Sequence, residues 1–347
     1  SGYVRIGDEI IRYTGINTVA NQITGCTRGF FSTVASAHKA NAKVQKVRYY
    51  APANPFDVLK EILLVDAKIQ AADVDVASFD FWKNWPGGEP LFSTIIPEPT
   101  KADKLYFEIV DLIDCKSWVA ENLKITIRRN LPNAPGRTYK HLTDEANVIY
   151  GSTSVDLNAK SRISRVLLYW DKTVLGKVDD IKEYNRLDIA IDADAESANE
   201  YGEIAEKKIF CRWLRSGYMQ EEDITQYIKN LITRQLRRQR DAAPIITLDV
   251  ELKDSDILTG DYVKLTTDEL LRVDGSPIDR KFQVVKRQAK GHKVTLHLLQ
   301  MPERRVLFLG PPGLPDYTVA TDAQKEYGYL CGANGKMSNG DEGYYIW

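Results

Sequence analysis

The sequence predicts a multi-domain α+β protein, with β-barrel or sandwich domains alongside small domains in which helices dock on sheets. Three observations predict it. Its 347 residues are enough for two or three domains with separate cores. Short runs of apolar and β-branched residues alternate with glycine-rich turns over the first fifty residues and again from 245 to 300. Between these stretches, apolar residues recur at helical spacing behind recognisable helix starts.

The N-terminal stretch reads as a β-meander. Tyr3-Val4-Arg5-Ile6 faces Ile10-Ile11-Arg12-Tyr13 across Gly7-Asp8-Glu9, and Gly15, Asn17, Gly25 and Gly29 punctuate further short strands. Residues 42–47 close this segment with another strand. Asn54-Pro55 then starts a helix, a capping side chain followed by proline in the first helical position. Phe56, Leu59, Ile62, Leu63 and Ile69 give it an apolar face to about Gln70. A second helix follows Pro97-Glu98-Pro99, with Thr100 and Asp103 placed as a capping box and Leu105, Ile109 and Leu112 as its stripe. Ser117–Val119 and Lys124–Ile127 form a hairpin around Glu121-Asn122.

Proline and glycine over residues 131–141 mark a linker. Strands resume at 164–170 and 186–191. A helix from about Glu221 to Arg240 presents Ile224, Tyr227, Ile228 and Leu231 on one side, and Arg237, Arg238 and Arg240 suit the negative end of its dipole. Strands at 245–252, 262–266, 281–287 and 293–299 complete a barrel or sandwich on which that helix is expected to pack. The expected division is a small β module at 1–50, an α+β domain at 51–135, a barrel or sandwich domain at 136–300 with helix 221–240, and an extended segment at 301–347. That last segment pairs Pro311, Pro312 and Pro315 with Tyr317, Tyr327, Tyr329, Tyr344, Tyr345 and Trp347, aromatics expected to cover a neighbouring surface. The start at Ser1-Gly2-Tyr3 is expected to follow a missing N-terminal portion.

Composition narrows the function. Lys and Arg (47) cancel Asp and Glu (48), a balance that argues against a main task of gripping nucleic-acid phosphates or anionic lipid. No apolar stretch approaches the length of a membrane span. The cysteines at 26, 115, 211 and 331 are too dispersed for a zinc or iron–sulfur motif and are expected as free thiols.

Candidate chemistry is sparse. His38, His141, His292 and His297 do not pair at metal spacing. Asp192, Asp194, Glu196 and Glu203 match the acidic positions of a calcium loop, but Ser197 stands where the sharp turn wants glycine, so a solvated acidic loop is expected. Gly310-Pro311-Pro312-Gly313 lacks the amide donors of a phosphate loop. The pairs Asp73/Asp75, Asp179/Asp180 and Asp254/Asp256 are sequence neighbours, which a glycosidase dyad is not. The reading is therefore a non-enzyme: no catalytic residue, no cofactor, no metal.

The order of several segments carries a resemblance. Gly2-Tyr-Val-Arg-Ile-Gly-Asp-Glu-Ile-Ile-Arg-Tyr-Thr-Gly15, then Ile23-Thr-Gly-Cys-Thr-Arg-Gly29 and Ala35-Ser-Ala-His38, resembles a module of tail proteins in long-tailed phages, prophages and gene transfer agents. Arg212-Trp213-Leu214, Leu258-Thr-Gly-Asp-Tyr-Val-Lys-Leu-Thr266, Phe282-Gln-Val-Val285 and Met337-Ser-Asn-Gly-Asp-Glu-Gly-Tyr-Tyr-Ile346 resemble later parts of the tail-tip, or baseplate, hub family. The resemblance implies tail-tube-like barrels and a homotrimer at the virion tail tip. Such a hub joins the tail tube to a fibre or spike and encloses a channel for DNA or tape-measure protein. Its implied partners are neighbouring tail-tube or distal tail proteins, with no specific nucleic-acid sequence. Some relatives hold an iron–sulfur cluster, a motif these cysteines do not reproduce. The alternative is a tail-associated receptor binder or a hydrolase of cell wall or polysaccharide.

Overall fold

In this computed structural model, residues 1–300 and Thr321 are described, apart from 85–88, 131–138, 157–160, 194, 197–203, 218–219, 240–242, 272–274 and 276. The remaining part of the expected C-terminal segment 301–347 lies outside the described residues, as does most of the expected linker. The fold is mixed α+β, built from several sheets.

The N-terminal meander forms as read. Strand β1 (Gly2–Ile6) pairs antiparallel with β2 (Glu9–Tyr13), and Gly7 makes the turn with φ +57°, a conformation open to glycine without strain. A small hairpin, β3 (Gly15–Asn17) and β4 (Gln22–Thr24), continues from β2. Strand β5 (Val44–Ala53) pairs with β1 at its first half and with β6 (Phe92–Ile96) at its second, giving the order β2-β1-β5-β6. One ten-residue strand thus carries the meander into the helical region.

Asn54 caps helix α1 (Pro55–Glu61) as its sequence predicts, its side chain accepting from the Phe56 amide at 3.0 Å. The expected run to Gln70 is corrected. After Glu61 the backbone widens into one π-type turn, Ile62–Asp66, closed by the Ala67 amide on the Ile62 carbonyl. Helix α2 (Val76–Lys83), which the sequence reading left out, buries only Phe79 and Trp82, too few positions to reveal a period. Helix α3 (Ala102–Leu112) buries Leu105, Ile109 and Leu112 as expected, but Thr100 does not cap it. The helix begins one residue too late, with Lys101 at the cap, and the Thr100 hydroxyl donates instead to the Glu98 carbonyl at 3.2 Å. The expected hairpin follows as β7 (Cys115–Val119) and β8 (Ile125–Arg129).

Strands β11 (Arg165–Lys172), β12 (Tyr184–Ile191) and β13 (Glu206–Phe210) form a sheet in the order β12-β11-β13, with β13 parallel to β11. Helix α4 (Glu221–Gln239) lies against β11 and β12. Ile224, Ile228 and Leu231 are buried, as expected, but in a different place from the expected one. Their partners are Trp170, Trp213 and the α1–α3 side chains, in one core that runs from Tyr50 to Leu236. The strands at 245–300 are not its seat. The pattern of the helix showed which face is apolar, while its partner was a long-range choice between two apolar sheets.

Those later strands build a second core. Strands β9 (Lys140–Thr143), β10 (Ser154–Asp156), β14 (Ile245–Glu251), β15 (Tyr262–Leu271), β16 (Pro277–Lys290) and β17 (Lys293–Gln300) make one sheet, ordered β10-β14-β17-β16-β15-β9. Among the described residues it stays open rather than closing into a barrel. Alternate residues Ile246, Leu248, Val250, Val294, Leu296 and Leu298 line its interior. Because Leu231 is fully buried in the first core, Leu231→Ala is expected to destabilise the chain by about 2–5 kcal/mol, read as a lower urea midpoint at unchanged slope.

Candidate functional site

Among the described residues, the segments that carry the family resemblance fasten parts of the fold together, the first through a buried carboxylate. Thr259, Gly260, Gln283, Val284 and Val285 also line an open cleft with Trp118. Glu9 opens β2 with no solvent exposure. Arg28 grips it with Nε on Oε1 and Nη2 on Oε2, both at 2.5 Å. The amides of Gly29 and Ser36 each donate at 3.1 Å, and His38 Nε2 lies 2.7 Å from Oε2. Gly29 sits at φ +65°, and a Cβ there would stand 2.8 Å from the Thr33 carbonyl oxygen. Arg28, Gly29, Ser36 and His38 all belong to the quoted N-terminal motif. The arginine hydrogen bonds hold the Glu9 carboxyl well below the ordinary range, against the upward push of burial.

The loop held by Glu9 carries Phe30 and Phe31 onto Tyr3 and Tyr49, with ring centroids 4.9–5.6 Å apart. Phe31 adopts φ +55°, a strained conformation for a bulky residue, so this packing must be worth more than the strain it demands. Thr33 then takes the Ile10 amide at 3.0 Å. The motif closes on itself.

Arg212, Trp213 and Leu214 act similarly at the first core. All three are buried. Glu108 of α3 accepts from Arg212 at 2.9 Å and from the Trp213 indole at 3.3 Å. The Trp213 carbonyl receives the Ser93 amide from β6, and the Leu214 carbonyl receives the Asp171 amide from β11. At the third motif, Trp118 covers Gly260, where a Cβ would stand 2.3 Å from the ring. Arg128 donates to the Gly260 carbonyl at 2.6 Å and to Asp261 at 2.8 Å. Gln283, also buried, donates to Asn130 at 3.2 Å. Hairpin β7–β8 is fastened to the six-stranded sheet by these contacts.

The other candidates are equally engaged. Glu196 of the calcium-loop pattern gives both oxygens to Arg165, at 2.5 and 2.7 Å, and Asp192 accepts the Ala195 amide. Asp194 and Glu203 lie outside the described residues. Asp254 and Asp256 share Lys140, at 2.9 and 2.5 Å. His141 meets Thr266 and His297 meets Thr247, while His292 is exposed in a turn. Cys26, Cys115 and Cys211 are free thiols; burial pushes Cys211 up to about 12, so it is no nucleophile at neutral pH. Among the described residues, no group of His, Cys, Asp and Glu could hold a metal ion, and no helix is long and apolar enough to cross a membrane. The Arg237 and Arg238 side chains and Arg240 lie outside the described residues, as do the Gly310–Gly313 and Met337–Ile346 segments. The role of Glu9 was missed from sequence, because nothing local shows that residues 19 and 29 places away will meet it.

No family model matches the chain, and no curated protein matches it. Several solved structures are similar. The tail protein from Neisseria meningitidis MC58 is 13% identical, with 86% of this chain and 96% of that one covered and a TM-score of 0.46. The 43 kDa tail protein of prophage MuSo2 from Shewanella oneidensis is 11% identical, with 86% and 93% covered and a TM-score of 0.40. A chain of the virion of a native gene transfer agent particle is 13% identical over 72% of this chain, with a TM-score of 0.44. This chain spans about half the length of that one, 47%.

Two predictions follow from the site's chemistry. The Glu9 carboxyl is depressed in the folded chain, so its stabilisation is complete above the ordinary glutamate range, about 4.3, and lost as pH falls below it. Glu9→Gln is expected to lower stability at pH 7 by about 1.5–3 kcal/mol, the worth of hydrogen bonds to a charged group, and to flatten the acid limb of a stability-against-pH curve. Millimolar calcium should leave the melting temperature unchanged, because Glu196 is already committed to Arg165. A rise of several degrees that disappears in Asp192→Ala would overturn that assignment.

Proposed function

We propose that the chain is a non-enzymatic structural component of the tail of a phage or phage-like particle, acting as a tail-tip hub. In this reading it forms a homotrimer at the tail tip, joins the tail tube to a fibre or spike, and helps enclose the channel for DNA delivery. The observation that carries the proposal is what the family-like segments do in the fold. Glu9 with Arg28 and His38 fastens a loop to β2, the buried Arg212–Leu214 run ties β6 and β11 to α3, and Trp118 on Gly260 ties hairpin β7–β8 to the six-stranded sheet. A hydrolase would gather an acid, a base and a substrate cleft from such segments. An assembly component that must bear load at fixed geometry gathers locks.

The trimer is the testable core of the proposal. Multi-angle light scattering of the purified chain is expected to give three times its 39.3 kDa mass, and images of particles a threefold ring at the tail end. A monomer at every concentration, with no threefold density in particles, would overturn the hub reading. Turnover of peptidoglycan or glycans that survives in Glu9→Gln and vanishes in another carboxylate variant would favour a tail-associated hydrolase instead.

A further inference from the structure

Between hairpin β7–β8 and the six-stranded sheet lies an open cleft of about 440 Å³. Strand register defines its floor. Ile245, Leu299, Gln283 and Tyr262 stand opposite one another across β14, β17, β16 and β15, so their side chains leave the same face of the sheet. That face is turned away from the second core, into which Ile246, Leu298, Phe282 and Val284 point. Tyr262 is covered, its hydroxyl donating to the Arg129 carbonyl at 3.4 Å, and Ile245, Leu299 and Gln283 remain as the floor. On the wall, Lys116 and Trp118 are two residues apart on β7 and share a face, and both line the cleft.

Gln283 and Lys116 give this apolar hollow its chemistry. Gln283 is 1% exposed; its Nε2 is spent on Asn130, and its Oε1 accepts no hydrogen bond. A buried acceptor without a donor is costly, and the great majority of such groups find one. Lys116 is exposed on β7, and Arg128, a like charge, stands directly opposite it on β8. Asp261 neutralises Arg128 at 2.8 Å. Among the described residues, the Lys116 ammonium has no hydrogen-bond or ion-pair partner.

We infer that this cleft binds the carboxyl end of a partner's peptide chain. The terminal carboxylate meets Lys116, the last amide N–H donates to Gln283 Oε1, and an aliphatic last side chain lies on Ile245 and Leu299 beside Trp118. The unpaired cation selects an anion and repels an amino end. The buried acceptor requires a donor, which a fatty acid or a sulfate does not bring. The apolar floor favours an aliphatic side chain over a polar one. The end of a peptide carries all three groups within one residue. Because the cleft is open, the rest of that chain can continue into solvent, and the volume lies within the range of about 300–1,000 Å³ usual for ligand sites. The inference goes beyond the structural role proposed above and does not depend on the trimer, since the cleft lies within residues 1–300 of one chain.

The test is isothermal titration of the full chain with the peptide acetyl-Ala-Ala-Leu, once as the free acid and once as the amide. The free acid is expected to bind, and the amide to bind about tenfold more weakly, the worth of one charge-assisted contact. Lys116→Met removes an exposed side chain that holds nothing in the fold. It is expected to bring the free acid down to the affinity of the amide and to leave the amide unchanged. Leu299→Ala should weaken both forms alike. Isocaproate keeps the carboxylate and the aliphatic group but has no N–H, and it should bind about tenfold more weakly than the free-acid peptide. Equal binding of isocaproate would make the occupant a simple apolar acid and overturn the chain-end assignment. Equal affinity for acid and amide, binding that Lys116→Met leaves intact, or no binding of either form would overturn it as well.

Discussion

Burial of the Arg212–Leu214 run is the constraint on which the first core depends. Trp213 is fully buried, stands 5.4 Å from Tyr50 of β5 and gives its indole proton to Glu108 of α3. Its backbone simultaneously serves β6, and the next carbonyl serves β11. Four elements that are far apart in sequence therefore meet at three consecutive residues. Removing the indole would open a cavity and leave the Glu108 carboxylate without one of its donors, so packing and hydrogen bonding fail together. Glu9 does the same at smaller scale. Its five donors come from four residues of one loop, and the loop in turn seats Phe30 and Phe31.

Much of the local structure was legible because local physics decides it. Asn54-Pro55 starts α1 through a side-chain oxygen and a preset φ, both visible in two letters. The 245–300 strands show their period and their turn glycines, and Gly260, Gly275 and Gly291 all take positive φ. Where the reading departed, the deciding contacts were distant. The end of α1 at a π-type turn, the cap of α3 and the seat of α4 depend on what each element meets. The apolar stripe of α4 is compatible with either core, and only the fold shows that Trp170 and Trp213 are its partners.

The site was half legible. The N-terminal motif was visible as a sequence of glycines, an acid, an arginine and a histidine, yet its residues read as turn formers. Gly7 and Gly29 are indeed turn formers. Arg28, Ser36 and His38 are ligands of one carboxylate, a role that exists only after β1 and β2 have paired and the loop has folded back. A sequence can suggest that an acid and a base are available. It cannot show that they share one oxygen.

The buried carboxylates of Glu9 and Asp254 and the half-buried Glu108 each meet a cation inside the chain. Exposed apolar residues include Ile16 and Val19 on hairpin β3–β4 and Ile189 on strand β12. The interior fixes the hairpin's geometry: Arg12 pairs backbone to backbone with Thr27 at the hairpin base, one residue before the arginine that grips Glu9. The carboxylate lock therefore sets the direction in which the hairpin projects.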